Sequence, residues 1–216
     1  MGLLDLLLPP ACAGCGRFGV LLCASCRAAF RPPSDAGDRF VAADAGTVIG
    51  EQVILALAAF AYEGPLRKVL QRMKYAGAAR VAADLADASM PALRMLLAIS
   101  GPAALVPVPL HPERERERGF NQAALLADAL SRGANVPSKR LLVRGRATTK
   151  QHELDRAARL RNLTGAFHVA DGAEPPPVVI VVDDILTTSA TMEVYAGALR
   201  AAGCEHTYGF SIAREV

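Results

Sequence analysis

Aromatic residues are scarce in this sequence. They make up 5% of the 216 residues, and tryptophan is absent. A protein dedicated to gripping single-stranded nucleic acid uses aromatic platforms on which bases stack, so the shortage argues weakly against that class. Hydrophobic residues nevertheless reach 52%, which excludes wholesale disorder. Alanine, valine and leucine must therefore fill the core, as is usual where helices pack on a parallel sheet.

Long uncharged apolar runs are also missing. The longest, VILALAAFAY, is about half the length of a membrane span. The first residues have no basic region and Asp5 interrupts their apolar run, which disfavours a signal peptide. Leu6 occupies the position at which the myristoylation motif requires Ser or Thr, which disfavours that modification. The formal net charge of +3 permits an anionic ligand or nucleic acid but demands neither. We expect a soluble, cytoplasmic protein without membrane insertion.

Cysteines are few, and four of the five are clustered near the N-terminus. Cys12 and Cys15 form one C-x-x-C pair, and Cys23 and Cys26 form a second. Paired spacing of this kind favours a metal over a disulfide framework, and four thiolates favour structural Zn²⁺. An iron–sulfur cluster or redox dithiols remain the alternatives. The remote Cys204 is expected to be a small buried hydrophobic residue.

Strands and helices alternate along the rest of the chain. We predict strands near 52–61, 104–110 and 177–184 with a final strand HTYGFSIA, and helices from Gly64, over 78–98, up to Gly133 and over 188–202. This order predicts an α/β fold with a mostly parallel sheet and helices on both faces. Residues 1–46 would form the metal-holding unit and a linker, and 47–216 the main domain.

The segment VVIVVDDILTTSAT is the most informative. Val178–Val182 predicts a strand buried on both faces, and ligands of open α/β sheets bind beyond the carboxyl ends of such strands. Asp183 and Asp184 stand there, suited to sugar hydroxyls or to a bound Mg²⁺. The small and hydroxylated residues that follow lead into a helix start suited to a phosphate: Thr187, Thr188, Ser189, Ala190 and Thr191. The plainer alternative is a helix cap beside a solvated acidic turn.

Two further polar segments are candidates for contact with a charged ligand. The predicted loop HPERERERGFNQ offers Arg114, Arg118, Gly119, Asn121 and Gln122, and its arginine forks suit phosphate oxygens. For Arg114 and Arg116 a self-neutralising solvated run is the alternative. The stretch 146–167 is basic and suits a mobile lid, or else an exposed amphipathic helix. Its candidate residues are Lys150, Gln151, Arg156, Arg159 and Arg161. No histidine shows ligand or triad spacing.

These motifs carry a resemblance. The hydrophobic strand, two acids and T-T-S-A-T turn resemble the signature of type I phosphoribosyltransferases, although Ser189 stands where glycine is common. The resemblance implies that the acids contact ribose hydroxyls and that the turn cradles the 5′-phosphate. P-V-P-L-H-x-x-R-x-x-x-R-G-F-N-Q, followed by T-x-x-Q-x-x-L and V-D-D-x-x-T-T, resembles the competence protein F (ComF) family of bacteria. The upstream Y-x-G-x-L-R pattern fits as well, and Lys74 and Tyr75 fit the last two residues of an L-K-Y pattern.

The resemblance implies a type I phosphoribosyltransferase-like fold with an N-terminal zinc ribbon. It also implies a role in natural transformation, where imported single-stranded DNA is handled beside a helicase-like ATPase. Two hypotheses follow. In one, the chain is a phosphoribosyltransferase that binds phosphoribosyl pyrophosphate with Mg²⁺ and uses Asp183, Asp184 and Arg118 in catalysis. In the other, it is a non-catalytic accessory protein that binds single-stranded DNA or a nucleotide.

Overall fold

The chain folds around a five-stranded sheet in the computed structural model, which describes residues 9–33, 46–47, 52–144, 167–187 and 189–215. The strands are β1 (Gly46–Thr47), β2 (Ala56–Ala61), β3 (Ala104–Pro107), β4 (Leu142–Arg144), β5 (Phe167–Val169), β6 (Val178–Leu186) and β7 (His206–Arg214). The helices are α1 (Ala24–Ala28), α2 (Gly64–Met73), α3 (Ala82–Ser100), α4 (Pro112–Arg118), α5 (Gln122–Ala134) and α6 (Ser189–Ala201), and a 3₁₀ helix (Ala76–Val81) joins α2 to α3.

The sheet is largely parallel, in the order β1-β2-β7-β6-β3. Only β1 pairs antiparallel with its neighbour, while β2, β7, β6 and β3 run in one direction. In β6 the β-branched residues from Val179 to Val182 are completely buried, which explains the uninterrupted apolar run. A separate antiparallel ribbon is formed by β4 and β5.

Two cores cover the two faces of the sheet. Ile180 and Val182 of β6 face one core, which is closed by α2, α3 and α5. Val179 and Val181 face the other, closed by α6 and the β4–β5 ribbon. The predicted α/β class, with helices on both faces, is therefore confirmed. Within the described ranges, no helix has the length and apolar character needed to cross a membrane.

The charged segment predicted as a loop is instead the helix α4. The His111 ring accepts a hydrogen bond from the Glu113 backbone N–H (3.3 Å) as the N-cap, and Pro112 follows at the first helical position. Glutamates in the first turn and arginines in the last match the helix dipole. Gly119 then ends the helix with φ +78°, a left-handed conformation that favours glycine. The alternating charges therefore stabilise a short helix.

The predicted glycine stop at Gly133 is also wrong. The helix α5 continues to Ala134, and Asn135 takes the left-handed capping conformation. Gly133 lies against α3, where an added Cβ would come within 2.5 Å of Met90 Cε. Its small size thus serves helix packing.

The cysteine-rich segment packs directly on the main domain. Arg72 of α2 donates from Nη1 to the carbonyls of Cys12 (3.3 Å) and Ala13 (3.2 Å). Phe30 meets Phe60 of β2 edge to face, with ring centroids 5.3 Å apart. These contacts attach the segment to β2 and α2.

The packing around the central strand β7 can be tested at Gly209. A Cβ there would lie 2.9 Å from Ala56 Cβ and 3.5 Å from Met192 Sδ. We expect Gly209→Ala to lower the free energy of unfolding by about 1–3 kcal/mol, because an overpacked core must shift. Urea denaturation followed by circular dichroism measures this change.

The matched control is Gly197→Ala on α6, where the nearest atom, Gln52 Cγ, is 4.0 Å from the added Cβ. This variant should gain about 0.4–1 kcal/mol, since alanine restricts the unfolded chain and favours helix. Equal stability changes in both variants would contradict the close approach of β7 to β2.

Candidate functional site

A pocket opens where β6 continues past the end of β3. The last paired residues are Pro107 and Val182, and the Val108 N–H still donates to the Val182 carbonyl (3.0 Å). Pro109 has no N–H to continue the ladder. The chain turns away there, while β6 runs on to Leu186. The vacated strand position leaves a cavity of about 240 Å³ at the carboxyl end of the sheet.

The walls of the pocket come from four parts of the chain. The lining residues are Lys74, Val108, Pro109, Leu110, Arg114, Arg118, Asn121, Gln122, Ala123, Asp183, Asp184, Ile185 and Thr187. Seven of the sequence-predicted site residues are among them: Arg114, Arg118, Asn121, Gln122, Asp183, Asp184 and Thr187. The pocket therefore unites the acidic strand end with the arginine-rich segment, which lies more than sixty residues earlier.

Asp183 and Asp184 lie on opposite faces of β6, because side chains alternate along a strand. The Asp183 carboxylate accepts a hydrogen bond from the Asp184 backbone N–H (2.8 Å). Burial, and after it the charge of Asp184, raises the pKa of Asp183 well above its usual range. Burial and the charge of Asp183 also raise the pKa of Tyr195, on α6. A cation or a hydrogen-bond donor brought into the pocket would favour the charged form of Asp183.

Cations oppose the acids across the pocket. Arg114 and Arg118 are one helical turn apart on α4 and so share a face. Arg116 points elsewhere and donates from Nε to the Pro112 carbonyl (3.3 Å). For Arg116 the structure agrees with the solvated alternative. Lys74, just after α2, supplies a third cation.

The start of α5 forms another wall. Asn121 donates from Nδ2 to the Val108 carbonyl (2.9 Å) and accepts from the Ala124 N–H (3.3 Å). It thereby ties α5 to the segment after β3. Gln122 is only 4% exposed, and within the described part of the chain its Nε2 has no hydrogen-bond partner. Gly119 ends α4 and is not among the lining residues.

The predicted phosphate turn is partly described. Thr187 is exposed and lines the pocket. Ser189, two residues later, is the first residue of α6. Ala190 and Thr191 follow in the helix, and Thr191 is partly buried. Since Ser189 begins a right-handed helix, serine in place of the common glycine causes no left-handed strain there. The predicted residues outside the described ranges are Lys150, Gln151, Arg156, Arg159, Arg161 and Thr188.

The four N-terminal cysteines form a compact cluster. Their Sγ atoms all lie within 4.8 Å of one another, and those of Cys15 and Cys23 are 3.7 Å apart. A tetrahedral Zn²⁺ with Zn–S bonds of about 2.3 Å separates its sulfurs by roughly 3.8 Å. The cluster could therefore hold a zinc ion. Gly14 is required beside it, because an added Cβ would come within 2.7 Å of Cys26 Sγ.

Hydrogen bonding within the cluster favours a thiolate at Cys12. The Cys23 N–H donates to Cys12 Sγ (3.3 Å). Burial alone would raise the pKa of Cys12, but hydrogen bonds from the Cys15, Cys23 and Gly14 backbone lower it to about 6. Burial, followed by hydrogen bonds with the other cysteines, raises the pKa of Cys26 to about 12. A Cys12 thiolate beside three further sulfurs suits a divalent cation.

Lys74 is the pocket residue that sequence reasoning missed. Its place in the sequence, at the end of a pattern shared with the family that the chain resembles, assigns it no role. Its position follows from the fold, because α2 ends at the pocket edge. The L-K-Y pattern itself was the available signal, since a lysine directly after an amphipathic helix is free to point toward a ligand.

The chain is similar in sequence to proteins that are named for competence or for DNA utilization. The chain is 33% identical to competence protein F of Haemophilus influenzae over 159 residues, which cover 71% of this chain and 69% of that protein. It is 33% identical to the DNA utilization protein YhgH of Salmonella typhi over 112 residues, covering 50% and 49%. It is 62% identical to competence protein ComFC of Bacillus subtilis over 37 residues, covering 17% and 15%.

Other comparisons contribute less. No family model matches the chain. The solved structure of the allosteric regulatory enzyme of purine biosynthesis is similar with a TM-score of 0.39 and 16% identity, over 61% of this chain and 25% of that one. A likeness of that size carries no argument about function. The match to the Haemophilus protein does extend over more than two thirds of both sequences, and the chain therefore belongs to the competence protein F family.

Proposed function

We propose that the pocket binds phosphoribosyl pyrophosphate with Mg²⁺ and that the protein transfers or exchanges its phosphoribosyl group. The observation that carries this proposal is the pairing of two adjacent carboxylates with three cations around one small cavity. Sugar hydroxyls need acceptors and phosphoryl groups need cations, and a phosphorylated ribose carries both. The raised pKa of Asp183 fits a site that is completed by a donor or cation from the ligand.

Each wall of the pocket would then have a role. Asp183 and Asp184 accept hydrogen bonds from the ribose hydroxyls. The backbone N–H groups at the start of α6, together with Thr187, hold the 5′-phosphate, because helix starts attract anions. Arg118 and Arg114 approach the pyrophosphate, and Lys150, Gln151 and Arg159, which lie outside the described residues, are proposed as further contacts of it.

In the reaction, the bond from ribose C1 to the pyrophosphate oxygen breaks as an acceptor approaches C1. Positive charge develops on the ribose ring in an oxocarbenium-like transition state, and negative charge develops on the leaving pyrophosphate. Arg118 stabilises the leaving group, while the carboxylates hold the ring in position. When bound, Mg²⁺ supplies further neutralisation of the pyrophosphate, and Asp183 and Asp184 are the oxygen donors that fit it.

The biological setting that we propose is the handling of DNA during natural competence. Relatives of this chain are named for competence and for DNA utilization. The partners in that setting would be single-stranded DNA and a helicase-like ATPase.

One observation favours a second candidate, direct binding of single-stranded DNA or a nucleotide without turnover. Tyr75 is 74% exposed and follows Lys74, which lines the pocket. An exposed ring beside a cation can stack on a base while the cation meets a phosphate. In that case the pocket would hold a ribose phosphate of the strand.

Replacement of both acids separates the two candidates. We expect Asp183→Asn with Asp184→Asn to reduce pyrophosphate release from phosphoribosyl pyrophosphate by at least about 100-fold. Each amide replaces one of the two carboxylate oxygens that accept from the ribose hydroxyls by an NH₂ group, which can only donate. A coupled pyrophosphate assay measures the rate, with the purified chain, Mg²⁺ and candidate acceptors. The control is Asp171→Asn, an exposed acid outside the pocket, which should leave the rate unchanged.

The same variants are assayed for binding to a labelled oligonucleotide at several salt concentrations. Retention of oligonucleotide binding with loss of pyrophosphate release supports an enzyme whose DNA contacts lie elsewhere. Full activity in the double variant would refute the role of the acids. Oligonucleotide binding by a wild type that releases no pyrophosphate with any acceptor would favour the second candidate.

For the cysteine cluster we propose a structural Zn²⁺, held by all four thiolates without an open position. In this proposal residues 1–46 are a zinc ribbon with its linker and 47–216 a phosphoribosyltransferase-like domain. The ion would fix the segment that Arg72 of α2 contacts through the Cys12 and Ala13 carbonyls. Its loss should therefore loosen the packing against β2 and α2.

Zinc content tests this proposal. We expect one Zn²⁺ per wild-type chain in native mass spectrometry and a loss of most of it in Cys15→Ser, because a neutral hydroxyl replaces a thiolate ligand. Cys204→Ser is the matched control, since Cys204 is buried outside the cysteine cluster and donates to the Pro177 and His206 carbonyls. Full zinc occupancy in Cys15→Ser, or an iron signature in the wild type, would contradict the assignment.

A further inference from the structure

The last turn of α2 is held by a side chain that lies outside the pocket. Arg72, in that turn, donates from Nη1 to the carbonyls of Cys12 (3.3 Å) and Ala13 (3.2 Å) in the cysteine-rich segment. Arg72 is not among the residues that line the pocket. Hydrogen bonds from a charged donor are stronger than those between neutral groups, so this contact can fix the end of the helix.

The cysteine-rich segment lies along α2 and does not touch it at Arg72 alone. Ala13 is 5% exposed and is buried in the same core as Met73, the last residue of α2. Near the other end of the helix, a Cβ added to Gly14 would lie 3.6 Å from Pro65 Cβ. The segment therefore packs against the helix from its first turn to its last.

The carbonyls that Arg72 contacts belong to an ordered turn. The Cys12 carbonyl also accepts from the Gly16 N–H (2.8 Å), and the Ala13 N–H donates to the Leu21 carbonyl (2.8 Å). Both acceptors are thus fixed by the main chain of the cysteine-rich segment before the guanidinium reaches them. They offer Arg72 a firm attachment point.

Lys74 belongs to the same turn as Arg72 and lines the pocket. The Tyr75 N–H donates to the Arg72 carbonyl (3.0 Å), and the Lys74 N–H reaches the Gln71 carbonyl at 3.4 Å, near the limit for a hydrogen bond. Backbone bonds close this turn only loosely. Its position, and with it the position of Lys74, should therefore depend on the attachment of Arg72 to the cysteine-rich segment.

We propose that Arg72 is a positioning residue for the pocket: by binding the cysteine-rich segment it fixes the last turn of α2 and so places Lys74 against the anionic part of the ligand. The inference rests on the proposed function for the identity of that ligand. It goes beyond that function because it gives the cysteine-rich segment, through one side chain outside the pocket, a part in ligand affinity. Since Arg72 acts through Lys74, its effect on binding must depend on Lys74.

A double-mutant cycle measures this dependence. In calorimetry with Mg²⁺, we expect Lys74→Met to weaken binding of phosphoribosyl pyrophosphate by about 10-fold, because a charged donor to a phosphoryl oxygen is lost. Arg72→Met should weaken it by about 3- to 10-fold, because Lys74 is no longer held in place. The double variant should bind within about twofold of Lys74→Met alone, because an unheld turn without its lysine has nothing further to lose.

Lys68→Met is the matched control. Lys68 is an exposed cation one turn before Arg72 on α2 and is not among the lining residues, so its replacement removes the same charge from the same helix. We expect its affinity within about twofold of wild type. Arg72→Lys should fall between wild type and Arg72→Met, because an ammonium group can still donate to one of the two carbonyls.

A measurement without ligand separates this inference from the proposed function. The Tyr75 amide reports on the last turn of α2, because it donates to the Arg72 carbonyl. In hydrogen exchange followed by NMR, we expect this amide to exchange about 3- to 10-fold faster in Arg72→Met and within about twofold of wild type in Lys68→Met.

Each outcome decides one of the two claims. Unchanged affinity in Arg72→Met overturns the inference, and so do losses that multiply in the double variant. Unchanged exchange of the Tyr75 amide in Arg72→Met overturns it as well. If the wild type does not bind phosphoribosyl pyrophosphate, the proposed function fails, and the exchange rate then decides whether Arg72 holds the turn that carries Lys74.

Discussion

The site depends on the last residues of β6, which among the described residues have no partner strand on the side of β3. Main-chain pairing holds β6 to β3 only as far as Val182, and the proline that follows soon after β3 prevents further pairing. Asp183 and Asp184 come directly after that point, still fixed on their other side by β7. Two consecutive carboxylates are thus held by the strand on either face of its end, and the charge of Asp184 adds to burial in raising the pKa of Asp183. A ligand that brings donors or a cation favours the charged form of Asp183.

The remainder of the molecule positions positive groups around these acids. Asn121 fastens α5 to the segment after β3, and α4 presents Arg114 and Arg118. The helix α2 connects the two halves of the protein: Arg72 contacts the cysteine cluster, and Lys74 lines the pocket only two residues later. The cysteine cluster and the pocket consequently share one structural support, and a metal bound in the cluster would help to fix a pocket cation.

Much of this arrangement follows from the sequence. The β-branched run followed by two acids identifies a buried strand and its carboxyl end, and the spacing of the cysteines predicts their convergence. Local patterns failed where tertiary contacts or capping decide the structure. The alternating charges predict a loop where the His111 cap stabilises the helix α4. Gly133 predicts a helix stop, whereas its contact with Met90 of α3 explains the glycine. That Lys74 lines the pocket and that the Gln122 amide is unpaired depend on elements distant in sequence, and only for Lys74 was there a local signal, its position directly after a helix.

The most direct test of the strained acidic pair is the pH dependence of stability in wild type and Asp183→Asn. The pKa of Asp183 is raised above 3.8 in the folded state. Between pH 3.8 and the folded pKa, the folded protein therefore binds more protons than the unfolded chain. Wild-type stability should therefore fall relative to Asp183→Asn as pH increases from about 3.8 upward, and the difference should level off above the folded pKa. Denaturant titrations of both proteins measure it. A wild-type stability that stays constant or rises relative to that of Asp183→Asn as pH increases would contradict the account.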